Sequence, residues 1–304
     1  MKVVVAGGSG SLGRRLCGAL DAVGHDVVVL TRSPRGSTGY REVAWDGRTV
    51  GGWAAELEGA AVVNLAGELV DRRPTPENVR LLRDSRVEPT RALREAAASL
   101  DRPVPVWVQV STLAIYGDAG DAVLTEDSPL ADGPPQMAGV ARAWEEAVVG
   151  ADAERTVVLR TGVVLDRDSP ALDRLLFLAR AGLGGRIASG QQWVSWIHVA
   201  DWLAVVARAL GDPGMDGVYL ATSPGPVRNE ELMATVRRTT GNHVALPNPT
   251  FVVRLGARLL RTDPALALTG RRAQPARLLE EGFTFRFDEL RPAVADLMHT
   301  EPGR

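Results

Sequence analysis

The densest chemical signal in the sequence is a glycine turn near its start. Gly7, Gly10 and Gly13 recur every three residues, and Gly8 with Gly10 and Gly13 also satisfies G-x-G-x-x-G. Glycine permits the tight turn and the close approach of backbone to a pyrophosphate; a helix opening behind it offers free N–H donors and a partial positive charge. The turn follows the apolar run Val3-Val4-Val5-Ala6 and precedes Leu16, Leu20 and Val23 at helical spacing, with Gly24 as a stop. That order of strand, turn and helix is what dinucleotide binding needs. Gly7, Ser9, Gly10, Ser11, Leu12 and Gly13 are therefore candidate cofactor contacts; the structural alternative is a turn that only packs helix on strand.

The residues after the second apolar run select the cofactor. The chain reads Leu30-Thr31-Arg32-Ser33-Pro34-Arg35. A carboxylate there would bind two ribose hydroxyls and repel a 2′-phosphate, whereas a guanidinium pairs with a phosphate bidentately. Arg32 thus points to NADP, the alternative being a solvent-facing arginine, and Thr31 beside it is a further candidate cofactor contact. Asp46 is a weaker candidate for the adenine end.

The elements that must position these groups follow from the apolar patterning. Val27 to Leu30, 61–65, 106–110 and a later Val157-Val158-Leu159 with Val163-Val164-Leu165 are near-continuous Val/Leu runs without alternation. Such runs suit strands buried on both faces of a parallel sheet. Helical patterns lie at 77–98, 140–149, 169–181 and 200–210, a short strand at 218–221, and a last helix near 290–298; Gly182-Leu183-Gly184-Gly185 is a flexible lip or a helix stop. The expected class is α/β, a Rossmann-type doubly wound parallel sheet with a smaller, partly helical C-terminal part on the substrate side. Residues 1–168, with 193–223 returning to them, form the expected dinucleotide-binding domain, and 169–192 with 224–304 the remainder.

Composition sets the outer bounds. The chain has 304 residues, 45% hydrophobic and 24% charged, which suits a globular protein of about two domains. A formal charge of −2 gives no basic field, so nucleic acid is not an expected partner. Cys17 is the single cysteine, so no internal disulfide forms; it reads as a packing residue, and no Cys/His cluster suggests a metal site. No signal peptide and no run of about 18 apolar residues is visible. The expectation is a cytoplasmic protein with no membrane partner and an oligomeric state left open. Lys2 is the sole lysine, which excludes any mechanism that needs a lysine further along.

Several motifs together resemble the extended branch of the short-chain dehydrogenase/reductase superfamily. Besides the glycine turn, Asn64-Leu65-Ala66-Gly67 resembles the segment that lies along the cofactor. Ser111-Thr112-Leu113-Ala114-Ile115-Tyr116-Gly117 is similar to the "YG" segment of nucleotide-sugar epimerases, Thr125-Glu126-Asp127-Ser128-Pro129-Leu130 to the loop that follows it, and Ile197-His198-Val199-Ala200-Asp201 to "IHVxD". Asp84-Ser85-Arg86-Val87-Glu88-Pro89-Thr90, Trp144-Glu145, the Ser189-Gly190-Gln191-Gln192-Trp193 stretch with Ser195-Trp196-Ile197-His198, and Pro275-x-Arg277-Leu278-Leu279-x-x-Gly282-Phe283 resemble one atypical subgroup: NADP-binding "epimerase family" proteins with a small C-terminal domain of unknown role. The likeness runs from Lys2 to about Leu297. It implies an NADP cofactor touched by Leu65, Ala66, Gly67 and Arg86, and says nothing firm about the substrate. For Arg86 the alternative is an ion pair on a helix surface.

The same resemblance exposes a departure. The superfamily's acid–base work falls to a Tyr and a Lys four residues apart, with a Ser or Thr orienting the substrate oxygen. The Tyr place falls on Met137 and the Lys place on Ala141, neither able to transfer a proton. Thr112 stands at the Ser/Thr place, and Tyr116 is a candidate proton-handling group or a pocket-wall aromatic. Glu145, His198 and Asp201 lie on segments that border the expected pocket, or serve as a salt-bridged helix residue, a packing histidine and a helix N-cap. Trp193 and Trp196 line the pocket or sit in the core; the arginines of 254–277 are a solvated helical face or a binder of phosphates. Two functions remain: an oxidoreductase or epimerase-like enzyme of atypical mechanism acting on an unknown small molecule, or a non-catalytic NADP-binding sensor or regulator.

Overall fold

The computed structural model describes residues 1–298 except Ser37, Asp168 and His243. The expected domain boundary at Asp168 and the stretch 299–304 lie outside the described residues.

Seven parallel strands make one sheet: β1 (Lys2–Ala6), β2 (Asp26–Thr31), β3 (Arg41–Ala44), β4 (Ala61–Asn64), β5 (Trp107–Thr112), β6 (Thr156–Thr161) and a later edge strand, Gly217–Ala221. The spatial order is β3-β2-β1-β4-β5-β6 and then Gly217–Ala221, so the chain reverses direction across the sheet between β1 and β4. Helices cover both faces: α1 (Ser11–Ala22) on one, α2 (Pro76–Ala97) and α3 (Val140–Val148) on the other.

The burial explains the unbroken Val runs. Val3 and Val5 join the core on the α1 face, while Val4 and Ala6 join the core on the α2 face. Strand side chains alternate between faces, so a strand with both faces covered must be apolar throughout. Each fully buried valine is worth about 1.5–3 kcal/mol relative to exposure. α2 starts where Thr75 accepts the N–H of Asn78 and Pro76 occupies the first turn.

One strand expected as a unit is two. β6 ends at Thr161, and β7 (Val163–Leu165) leaves the sheet to pair with β8 (Trp196–His198). Gly162 makes the break: a Cβ there would lie 2.8 Å from the Ser195 carbonyl oxygen, and its N–H donates to Ala221. After β8, α5 (Val199–Gly211) returns to the α1 face, and Gly217–Ala221, hereafter β9, completes the sheet. The edge of β9 is closed by side chains: Arg277 donates to the carbonyl of Val218 and Glu126 accepts from the N–H of Leu220.

A second layer sits beyond β7 and β8. Helices 170–180, 229–239 and 290–298 surround Leu165, Trp196, Leu232, Val236 and Val294. Gly182, at φ +76°, ends the first of these helices: its N–H donates to Ala179 and that of Leu183 to Leu178. The glycine run is a helix stop. A helix at Thr250–Leu260 projects from this part with Ala257 as its only buried residue.

Candidate active site

The strand order places a crevice at the carboxyl ends of β1 and β4, where open α/β sheets bind ligands. Both strand ends are shaped to approach each other. Gly7 follows β1 at φ +84°, and a Cβ on it would lie 2.9 Å from the carbonyl of Leu65, which follows β4. Gly13 is as constrained, since its Cβ would lie 2.3 Å from the Gly7 carbonyl oxygen. Gly8 faces inward against Val29 and Cys17, so it serves packing.

Gly10 caps α1 without any side-chain acceptor, and the first turn holds no acidic residue. A Cβ on Gly10 would meet nothing nearer than 3.3 Å, so the cap opens outward and its amide dipoles face the crevice. Ser9 and Gly10 are exposed and Ser11 half-buried beside them, while Leu12 packs partly on the core behind the turn. This cradle fits a dinucleotide pyrophosphate.

The Asn64–Gly67 segment is held from below by buried polar groups. Asn64 donates to Thr90 at 2.8 Å and to Gln109 at 3.0 Å, and its carbonyl accepts the N–H of Ala66. Gln109 is itself fixed by Trp107 Nε1 at 3.1 Å. Leu65 hydrogen-bonds β1 through Ala6, and Gly67 lies flat on Arg86, whose guanidinium would be 3.1 Å from a Cβ there.

Arg86 is no surface ion pair. It is buried, donates to the carbonyls of Leu82 and Glu68 at 3.0 and 2.8 Å, and lies over the Trp144 ring. Burial pushes its pKa down to about 10, with Glu68 opposing, so the guanidinium stays charged at neutral pH. Thr31 is buried at the end of β2, and Arg32 beside it has 74% of its side chain exposed and pairs with Glu68 at 3.3 Å.

From this crevice a cavity of about 290 Å³ extends under the C-terminal part. Thr112 and Ala114 form its floor, and Met137 and Ala141 its wall. Thr112 accepts the N–H of Ala114 at 3.2 Å, which leaves its hydroxyl proton for a ligand. Tyr116 is not brought to this cavity. It is buried on the other side of the 113–116 turn, donating to the Thr125 carbonyl and accepting from Arg160 at 2.7 Å; burial raises its pKa. Glu145 is saturated by Arg160 at 3.0 and 2.8 Å and by Ser111 at 2.6 Å. These groups form a structural cluster.

His198 and Asp201 also turn away from chemistry. His198, not Asp201, caps α5, with its Nδ1 accepting the Ala200 N–H. Its ring stacks on Phe287 at 4.1 Å between centroids, and burial lowers its pKa. Asp201 sits in the first turn of α5 and accepts the N–H groups of Arg286 and Phe287 at 2.7 and 2.9 Å; burial raises its pKa. The N-cap reading fails because the helix begins at Val199, three residues earlier than a cap at Asp201 would require. Trp196 is core, while Trp193 lines the cavity between Arg228 and Arg272.

Sequence reasoning missed Asp263 and Arg72 in this cavity, and met Arg271 only as one of the arginines of 254–277, a solvated face or a binder of phosphates. Asp263 is the one carboxyl among the described lining residues; it is held by Gln136 Nε2 at 3.0 Å and by the N–H of Ala265. Arg271 reaches in from the opposite segment, its backbone tied to Trp193 and Ser195. Among the described residues, the one side-chain partner of its guanidinium is Met137 Sδ at 3.6 Å, a weak acceptor. Burial lowers the Arg271 pKa. Arg72 Nε, Trp144 Nε1 and Arg271 Nε are all buried without a partner among the described residues, and all three residues line this cavity. A lone Asp and two of many arginines carried no spacing signal; only the fold collects them.

Comparison with known proteins agrees with this geometry. The profile of the NAD dependent epimerase/dehydratase family matches residues 3–219, and that of a domain of unknown function, DUF1731, matches 248–297. The chain is 33% identical to the human epimerase family protein SDR39U1 over 98% of this chain and 100% of the relative. A crystal structure of human SDR39U1 (isoform2) with NADPH superposes with a TM-score of 0.87 at 32% identity, covering 98% and 99% of the two chains. A nucleoside-diphosphate sugar epimerase from Corynebacterium glutamicum gives 0.79 at 30% identity, covering 98% of this chain and 58% of that one.

Proposed function

The chain belongs to the NAD dependent epimerase/dehydratase family, and from that premise we propose that it is an NADP(H)-dependent oxidoreductase or epimerase-like enzyme whose acid–base group is Asp263. The cofactor follows from the cradle at Gly7, Gly10 and Gly13, from Arg32 at the ribose end, and from the NADPH held by the human relative. Thr31, Leu65, Ala66, Gly67 and Arg86 would lie along it. NADPH supplies a hydride when bound; the chain's own residues do the rest.

The observation that carries this reading is the set of unpaired donors. A buried N–H without an acceptor costs about 1–3 kcal/mol, more for a charged group. Arg72, Trp144 and Arg271, which line one cavity, each hold such a donor beneath its surface. An oxygen-rich ligand satisfies them when these side chains turn toward it, and Arg271 suits a carboxylate or phosphate on the substrate. Thr112 donates its hydroxyl to the reacting oxygen. Asp263 takes the proton from a substrate hydroxyl in oxidation and returns it in reduction. Gln136 orients that carboxyl beside Met137, so the proton-transfer group enters from the C-terminal part rather than from the Tyr place.

The test is NADPH oxidation with a panel of anionic and neutral carbonyl compounds. The proposal expects turnover restricted to anionic members. Asp263→Asn should lower kcat by about 10²–10⁴ with little change in NADPH affinity, and Arg271→Ala should raise KM for the anionic substrate. Turnover of neutral compounds alone would reject the role of Arg271. A second reading rests on Met137 and Ala141 forming the cavity wall where the superfamily pair would stand: a sensor that binds NADP(H) without chemistry. Tight NADPH binding with no turnover across the panel would select it.

A further inference from the structure

The helix Thr250–Leu260 presents the wrong face to solvent for a soluble surface helix. Phe251, Leu255 and Leu259 follow each other at four-residue spacing and are 71%, 67% and 82% exposed. That spacing stacks them on one face, on the side away from Ala257, the helix's single buried residue. Arg254, Arg258 and Arg261 flank this stripe and are exposed. Between Glu231 and Glu280 the only acidic residue is Asp263, and it is buried. The helix end is tethered to the loop before α2: Arg73 donates to the carbonyl of Arg258, and Thr262 hydrogen-bonds Asp71. That loop adds the exposed Leu69 and Val70.

We infer that this helix docks the protein on an anionic lipid surface, lying in the plane of the headgroups with its Phe/Leu stripe in the acyl boundary. No helix among the described residues can cross a membrane, and none is needed for such contact. An amphipathic helix with Phe and Leu on one face and arginines beside it is the physical requirement for interfacial binding. Charge decides between occupants. A second copy pairing through the same face would set these arginines against their own copies, at a cost in repulsion, whereas acidic headgroups neutralise them. The tether to 69–73 keeps the helix oriented outward beside the cavity that its downstream residues, Asp263 and Arg271, help to line.

Co-sedimentation of the full chain with vesicles of equimolar phosphatidylglycerol and phosphatidylcholine, against vesicles of phosphatidylcholine alone, tests this. Binding to the anionic vesicles is expected, with weak or no binding to the neutral ones. Arg254→Ala with Arg258→Ala should lower the partition coefficient about 25-fold, at about fivefold per arginine. Leu255→Glu with Leu259→Glu should abolish binding. NADPH titration of each variant should match the parent, which shows that the chain still folds. Absence of binding to the anionic vesicles would overturn the proposal, as would equal binding to both compositions. So would a dimer, seen by light scattering, that the leucine variants dissolve.

Discussion

At the scale of single residues, position 32 separates two cofactors by charge. Arg32 is largely exposed and held only by Glu68, so it can reorient onto a 2′-phosphate at small cost. Arg32→Ala should weaken NADPH about 10-fold and leave NADH unchanged, one charge-assisted bond being worth about 1.5 kcal/mol or more. Fluorescence titration with both nucleotides reads this; equal losses for the two would remove Arg32 from phosphate recognition. Cys17 makes a different point. It is wholly buried on the inner face of α1, and burial pushes its thiol from 9.0 to about 11. The folded state therefore holds its proton at pH values where the unfolded chain releases it. The resulting stability is complete below about pH 9 and is lost as pH rises toward 11. Denaturation midpoints should fall across that window, and Cys17→Ala should flatten the fall.

At the scale of elements, the turn between β1 and α1 has no slack. Gly13→Ala would set a Cβ against the Gly7 carbonyl and 2.7 Å from the Gly8 Cα, atoms of backbone that cannot rotate away. The expected cost is about 1–3 kcal/mol, with a lower melting temperature and lost NADPH binding. Gly10→Ala, whose Cβ would lie 3.3 Å from the Gly7 carbonyl oxygen and meet no other atom, should cost less stability than Gly13→Ala, and comparing the two melts distinguishes packing from cofactor contact. The elements were also the most legible part of the sequence. Helices at 77–98, 140–149 and 200–210 fall within about one residue of those observed, because their apolar faces repeat at helical spacing. β6 and β7 were read as one strand because both are Val/Leu runs; the break at Gly162 depends on Ser195, 33 positions later, which no local pattern reports.

At the scale of the whole molecule, Asp201 ties the C-terminal part to the sheet. It receives the N–H groups of Arg286 and Phe287, just before the last helix, Leu290–Met298. Asp201→Ala leaves the buried Phe287 N–H and the part-buried Arg286 N–H unpaired, which costs about 1–3 kcal/mol. The last helix should then detach before the sheet unfolds. Limited proteolysis should show early cleavage near 286–290 while NADPH binding persists; a single cooperative loss of both would mean that the two parts unfold as one.

The sequence alone determined the fold class and the cofactor end of the site. Both depend on local order: apolar runs set buried strands, and glycines at fixed spacing set a turn whose geometry is nearly the same wherever strand, turn and helix meet. The position of Thr112 on the cavity was legible too, because it ends a strand. Only the tertiary structure decided the rest. It withdrew Tyr116, Glu145, His198 and Asp201 into hydrogen bonds that their residue types did not announce. It brought Gln136, Asp263 and Arg271 together across more than a hundred positions of chain. A cavity wall is assembled from segments that meet only in three dimensions, and the partners a polar side chain finds there settle whether it is free to act.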